Sequence, residues 1–272
     1  MADDGAAHLE GWPFLKGHGT ENDFVLLPDP DGVLELSDDA VRRLCDRRQG
    51  LGADGVLRVV PAALHPDADG SDPDAVWFMD HRNADGSTAE MCGNGVRLFA
   101  HYLVSAGLAQ PGPLRVVTRG GVKQLEVGPD AVTVDMGPAE VGGTVEVDGV
   151  AAQFVSMGNP HAVLPVDSVE ALGELHPDRL DLNVEYVEDL SPTHVRMRVH
   201  ERGVGETRSC GTGACAVVVA TSLRTGTPRG TAYDVDVPGG RLTITWQDDG
   251  RVLMTGPAVL VAEGVLTEEL LA

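Results

Sequence analysis

The sequence predicts an α+β protein of two pseudo-symmetric lobes, each a mainly antiparallel sheet wrapped around a central helix. Three observations predict it. Two segments, 90-EMCGNGVRLFAHYLVSAGL-108 and 210-CGTGACAVVVA-220, put Cys-Gly-x-Gly ahead of an apolar helical pattern, their cysteines 118 residues apart (210 − 92). Each is followed by a strand pattern carrying a Gly-Gly pair, 114-LRVVTRGGVKQLEV-127 and 233-YDVDVPGGRLTITW-246, the pairs 119 apart (239 − 120). Each repeat then closes on a further strand ending in Gly-Pro-Ala, 131-AVTVDMGPAEV-141 and 252-VLMTGPAVLV-261. Ordered repetition at one offset is the mark of internal duplication.

Taken in order, residues 1–10 read as a loose acidic leader. The start, MADDGAAHLEGWPF, has neither the basic beginning nor the apolar run of a signal peptide. The halves open on a fainter echo, 17-GHGTENDFVLL-27 against 158-GNPHAVL-164. A helix is expected over 38-DDAVRRLCDRRQ-49, with Ser37 as N-cap and Gly50 beyond its end. In the two cysteine-led helices Val96, Phe99, Ala100 and Leu103, and Ala214, Val217, Val218 and Thr221, form one buried stripe each. Val132, Val134 and Met136 alternate as an antiparallel strand should. The expected lobes are 11–138 plus 257–272, and 139–256.

Composition narrows the function. The 42 acidic residues against 20 basic give a net charge of −22, the wrong sign for a nucleic-acid binder. No apolar run is long enough to span a bilayer, so no membrane partner and a cytoplasmic location are expected. Lys16 and Lys123 are the only lysines, which argues against pyridoxal phosphate chemistry. The four cysteines form no C-x-x-C pair, and zinc-ligand and P-loop spacings are absent, so no disulfide framework, metal or cofactor is expected. Cys45 and Cys215 fall in helix interiors and read as packing residues.

Cys92 and Cys210 do not. Each stands at a helix mouth, where unpaired N–H groups and the dipole favour anions and a thiol pKa of about 8.5 can fall to roughly 3.5–7.5. The flanking glycines, at 93, 95, 211 and 213, let a carboxylate approach the backbone. A pseudo-twofold would bring both mouths to one cleft. The expected device is a two-base inversion of a stereocentre α to a carboxylate: one thiolate takes the α-proton and the opposite thiol returns one.

Two other classes compete. Residues 211–216 satisfy G-x-G-x-x-G/A with Asp234 about twenty residues on, as in a dinucleotide oxidoreductase. However, Glu206 to Ser209 are polar where a buried strand should enter, and the first-half duplicate breaks the fingerprint. A non-catalytic module that captures zwitterionic amino acids is the other.

The motifs 22-NDF-24, 83-NADGS-87, 91-MCGNG-95, 156-SMGNPH-161, 201-ERGVGET-207 and 210-CGTGAC-215 resemble the diaminopimelate epimerases from about Gly17 to Pro257. The related proline racemases and hydroxyproline epimerases share that family's fold but lack the Glu-Arg-Gly-x-Gly-Glu-Thr lead-in. The resemblance implies cofactor-independent conversion of LL- to meso-diaminopimelate, which supplies lysine and peptidoglycan precursors. It implies Cys92 and Cys210 as the acid/base pair, assisted by His161 and Glu201. Gly93, Asn94, Gly211 and Thr212 would hold the reacting carboxylate. Asn22, Asn83, Asn159, Asn183 (through the looser match 182-LNVEYV-187), Glu201 and Arg202 would bind the remaining substrate groups. A homodimer is the implied assembly. Two departures stand out: Glu21 where the family commonly has glycine, and Gly55 where some members carry glutamine.

Overall fold

The computed structural model describes residues 9–68 and 72–271. Residues 1–8 of the expected leader lie outside the described residues; Leu9 is fully buried in a core with Val25, Val41, Leu44 and Leu266. The chain divides into two compact units, one drawn from the described parts of Met1–Val132 and Ala258–Ala272, the other Thr133–Pro257.

The first unit contains β1 (Pro13–Gly19), β2 (Asn22–Pro28), α1 (Asp38–Cys45), β3 (Gly55–Pro61), β4 (Trp77–Asn83), α2 (Gly93–Ser105), β5 (Gly112–Thr118) and β6 (Gly121–Val127). The second contains β7 (Val132–Pro138), which starts at the boundary, β8 (Glu140–Val147), β9 (Val150–Ser156), β10 (Pro160–Pro165), β11 (Asn183–Ser191) and β12 (His194–Glu201). It continues through β13 (Gly205–Thr207), α3 (Gly211–Thr225), β14 (Ala232–Val237), β15 (Gly240–Trp246) and β16 (Arg251–Gly256). The chain then returns to the first unit with β17 (Val259–Val265) and α4 (Glu268–Leu271).

The ladders of the two units run alike. In the first, β17 pairs β1 and β1 pairs β2, both antiparallel; β2–β3 is parallel, β3–β4 antiparallel, β4–β5 parallel and β5–β6 antiparallel. In the second, β8–β9 and β9–β10 are antiparallel, β10–β11 parallel, β11–β12 antiparallel, β12–β14 parallel and β14–β15 antiparallel. One long helix packs on each sheet: α2 against β1, β2, β6 and β17, and α3 against β9, β10, β11, β15 and β16. Fold class is therefore mostly sheet with few helices. Burying Val96, Phe99 and Leu103 of α2 and Val217 and Val218 of α3 fixes both helices, and with them the residues at their N-termini.

Three expectations need correcting. The helix at 38–49 stops at Cys45: Ser37 caps it, its Oγ accepting from Ala40 N at 3.2 Å, but Asp46 captures the N–H groups of Arg48 and Gln49 at 2.7 Å and turns the chain. Each Gly-Gly segment is a hairpin, not one strand, with Gly121 at φ 85° and Gly240 at φ 141° opening the return strands. And the long helices are buried on every face over consecutive residues, α2 from Gly93 to Ala100 and α3 from Ala214 to Ser222, so no single stripe describes either.

Candidate active site

Cys92 is the N-cap residue of α2, extended at φ −134° and ψ 123°, so its side chain leaves the helix axis at the mouth. Its Sγ lies 3.4 Å from Asn22 Oδ1, which also accepts from Asn94 Nδ2 at 3.2 Å. Asn22 is oriented from behind: its Nδ2 donates to Asp54 Oδ2 at 2.7 Å, and Arg47 braces Asp54 and Asp23. That pairing, with Lys16, holds the Asp23 carboxyl down at about 2 against the opposing effect of its burial. Arg97, fully buried, donates to Gly93 O at 3.4 Å and Thr20 Oγ1 at 3.2 Å, tying the helix mouth to the β1–β2 turn. At that turn Thr20 and Glu21 adopt φ 49° and 62°, the left-handed region, which glycine occupies without strain. Gly55 also has a structural reason: a Cβ there would meet Arg82 O at 2.5 Å.

Cys210 is the matching N-cap of α3, at φ −118° and ψ 113°. Its Sγ accepts from Gly213 N at 3.3 Å and lies 3.4 Å from Thr212 Oγ1. Thr212 Oγ1 accepts from Asn159 Nδ2 at 3.3 Å, and Asn159 Oδ1 accepts from His161 Nε2 at 3.0 Å. His161 Nδ1 is 2.6 Å from Glu185 Oε1, and both residues are fully buried. Asn183, paired in register with His161, donates to Pro160 O at 2.9 Å and accepts from the Arg202 backbone N–H at 3.0 Å, joining β10 to the end of β12. Glu201 accepts a short hydrogen bond from the Thr207 hydroxyl.

The helix mouth does not lower this thiol as the sequence suggests. Burial first, then the carboxylates of Glu201 and Glu185, push Cys210 well above the ordinary cysteine range; Thr212 and the Gly213 N–H pull only partly back. Cys45, buried in α1, is pushed up to about 12 by desolvation.

Of the expected site residues, Cys92, Asn22 and Asn94 are joined directly, with Gly93 beside them. Cys210, Thr212, Asn159 and His161 are likewise joined, with Gly211 at the helix start. Asn83 ends β4 and donates to Ser87 Oγ at 3.0 Å, within its own turn. Arg202 is exposed. Sequence reasoning passed over Asp54, Thr20, Arg97, Glu185 and Thr207. The one usable signal was Glu185, a charge inside the otherwise apolar run Val184–Val187. A dinucleotide site does not fit: the strand before α3 is the three-residue β13, antiparallel to β12. Among the described residues no three His, Cys, Asp or Glu side chains are grouped to hold a metal ion, and no helix is long and apolar enough to cross a membrane.

Comparison by sequence with known proteins points to one family. The family model described as Diaminopimelate epimerase matches residues 14–142 and 153–261. The diaminopimelate epimerase of Streptomyces coelicolor is 56% identical, covering 92% of this chain and 94% of the relative; that of Corynebacterium glutamicum is 48% identical, covering 93% and 97%. Among solved structures, a PhzF-family phenazine biosynthesis protein from Bacillus anthracis superposes with a TM-score of 0.72 at 15% identity, covering 94% of this chain and 98% of that one. A hydroxyproline epimerase from Agrobacterium vitis gives 0.67 at 15%, covering 93% and 91%. At such identities these two establish the fold alone.

Proposed function

The chain belongs to the diaminopimelate epimerase family, and on that premise we propose that it interconverts LL- and meso-diaminopimelate by two-base exchange of the α-proton, without a cofactor. It is an isomerase. The observation that carries the site assignment is that Cys92 and Cys210 occupy the same position, the N-cap of a buried helix, in two units whose strand ladders follow the same order. That correspondence supports reading the molecule as two lobes of duplicated origin.

In this reading one sulfur removes the α-proton as thiolate and the other, resting as thiol, delivers a proton to the opposite face. Each pKa unit separating base from the weakly acidic α-proton costs about 1.4 kcal/mol. Negative charge developing on the carboxylate would be met by the first-turn N–H groups of Gly93–Asn94 and Gly211–Thr212. Asn22, Asn83, Asn159 and Asn183 supply amide donors and acceptors for the substrate's polar groups. Glu201 offers an acceptor for an ammonium, and Arg202 a bidentate fork for the distal carboxylate. His161 assists through its bond to Asn159. We place the enzyme in the cytoplasm, as a homodimer.

Incubating the enzyme with LL-diaminopimelate in heavy water, with no added cofactor, tests the reading. Deuterium should enter the α-position as the meso form appears, and Cys92→Ala or Cys210→Ala should abolish both. Exchange that survives both substitutions would overturn the assignment; substrate binding without exchange in the parent would indicate a capture module instead.

A further inference from the structure

We propose that Glu185 is a positioning residue that sets the proton on the Thr212 hydroxyl toward Cys210, acting through His161 and Asn159. The inference deepens the reading of Cys210 as an acid/base thiol and rests on it. Glu185 lies on β11 with no exposed surface, and a carboxylate in that state needs a charged or hydrogen-bonding partner. Among the described residues, His161 Nδ1 at 2.6 Å satisfies one oxygen, and Oε2 has no partner. Gly213 makes room for it, since a Cβ at that position would sit 2.7 Å from Oε1. So α3 is built to pass close over a buried carboxylate that the packing alone does not need.

Hydrogen-bond accounting gives the consequence. A carboxylate and an amide oxygen only accept, so with Glu185 ionised both ring nitrogens of His161 donate: Nδ1 to Glu185 and Nε2 to Asn159 Oδ1. The ring is then an imidazolium paired with its carboxylate. Asn159 has its amide nitrogen left for Thr212 Oγ1, which accepts it at 3.3 Å. The hydroxyl proton is thereby turned toward Cys210 Sγ, 3.4 Å away, where it supports the thiolate. Take the carboxylate's charge away and the order reverses. A neutral ring keeps its Nδ1 proton and accepts at Nε2; the amide turns over, and the Thr212 proton goes to Asn159 instead of sulfur. The charge of Glu185 by itself pushes Cys210 up; in the proposed state the imidazolium beside it carries the opposite charge and leaves in the same step, so the hydrogen-bond path decides the direction. Glu201, the other carboxylate acting on Cys210, is unchanged throughout.

The test is the pH dependence of Cys210 alkylation by iodoacetamide, resolved by peptide mass spectrometry. In Glu185→Gln the midpoint should rise by about one pH unit, the loss of one hydrogen bond to an anion. In Thr212→Val it should rise similarly, in Thr212→Ser it should stay near the parent value, and in the double variant Glu185→Gln/Thr212→Val it should rise no further than in Thr212→Val. A midpoint that falls or stays put in Glu185→Gln, or shifts that add, would overturn the proposal. Nitrogen-15 NMR of histidine-labelled parent protein needs no variant: both His161 ring nitrogens should carry protons at neutral pH, and a ring with one bare nitrogen would overturn it too. Alkylation requires no substrate, so failure here is distinct from failure of the epimerase reading, which the deuterium experiment decides.

Discussion

Glycines 95 and 213 hold the same place in the two Cys-Gly-x-Gly motifs, yet alanine should act oppositely at them. At 213 the added methyl would stand 2.7 Å from Glu185 Oε1 and 3.3 Å from Cys210 Sγ. Neither neighbour can retreat: Glu185 is fully buried with Oε1 fixed 2.6 Å from His161, and Cys210 is only 6% exposed. Overpacking of that kind costs about 1–3 kcal/mol, and the better helix propensity of alanine returns about 1 kcal/mol. The net loss of up to about 2 kcal/mol should lower the melting temperature by as much as a few degrees. Moving the thiol by a fraction of an ångström should also slow α-deuterium exchange by roughly ten- to a hundredfold. At 95 the methyl meets Phe24 Cζ at 3.4 Å and Cys92 Cβ at 3.5 Å, ordinary contact distances. Only the helix-propensity gain remains, about 0.5–1 kcal/mol. Thermal unfolding of Gly213→Ala and Gly95→Ala, side by side with the parent, should show shifts of opposite sign. Equal shifts, or a Gly213→Ala protein as stable as its parent, would refute the packing described around Cys210.

Two further outcomes follow from single residues. Burial lowers the His81 imidazole from 6.5 to about 4, so the unfolded chain takes up its proton first as the solution is acidified. Stability from this group is intact above pH 6.5 and should fall by about 3 kcal/mol as pH drops toward 4; denaturant titrations across that window should show the slope, and His81→Gln should flatten it. At the β1–β2 turn, Glu21 holds φ 62°, a conformation costing a non-glycine residue about 1 kcal/mol or more. Glu21→Gly should therefore raise the unfolding midpoint modestly, and a clear drop would show that the glutamate side chain contributes more than its backbone costs.

What was legible in the sequence was whatever depends on neighbours along the chain. The helix mouths at Cys92 and Cys210, the burial of Val96, Phe99 and Leu103, and the Ser37 cap are local patterns, and all are found. The end of α1 was misread because Asp46 competes with the helix by bonding its own following N–H groups, an effect that periodicity does not register. The Gly-Gly pairs read as mid-strand because alternation continues on both sides of a tight hairpin. Glu185 stood out as a charge in an apolar run, but where it points was not legible, for a different reason. Residues Asn183 to Val187 are all buried, so alternation cannot say which side chain faces the helix. Only the parallel β10–β11 register and the close approach of Gly213 bring that carboxylate to His161. Arg97 likewise sits in an apolar helix, and its purpose emerges from a turn 77 residues away.

The behaviour of Cys210 shows why position at a helix terminus is a poor guide to thiol acidity. The dipole and first-turn amides contribute up to about 2 kcal/mol, or roughly 1.5 pKa units, and only in partly buried geometries. Removal from water acts on the same charge by up to 3–5 units, and here two carboxylates add to it. The larger effect wins, and the sulfur rests protonated. For two-base chemistry that is a usable state, because one partner must hold the proton that the other lacks. On the proposed mechanism the N–H groups of Gly211 and Thr212 would act on charge forming at a bound carboxylate, while the Thr212 hydroxyl would act on the Cys210 thiolate.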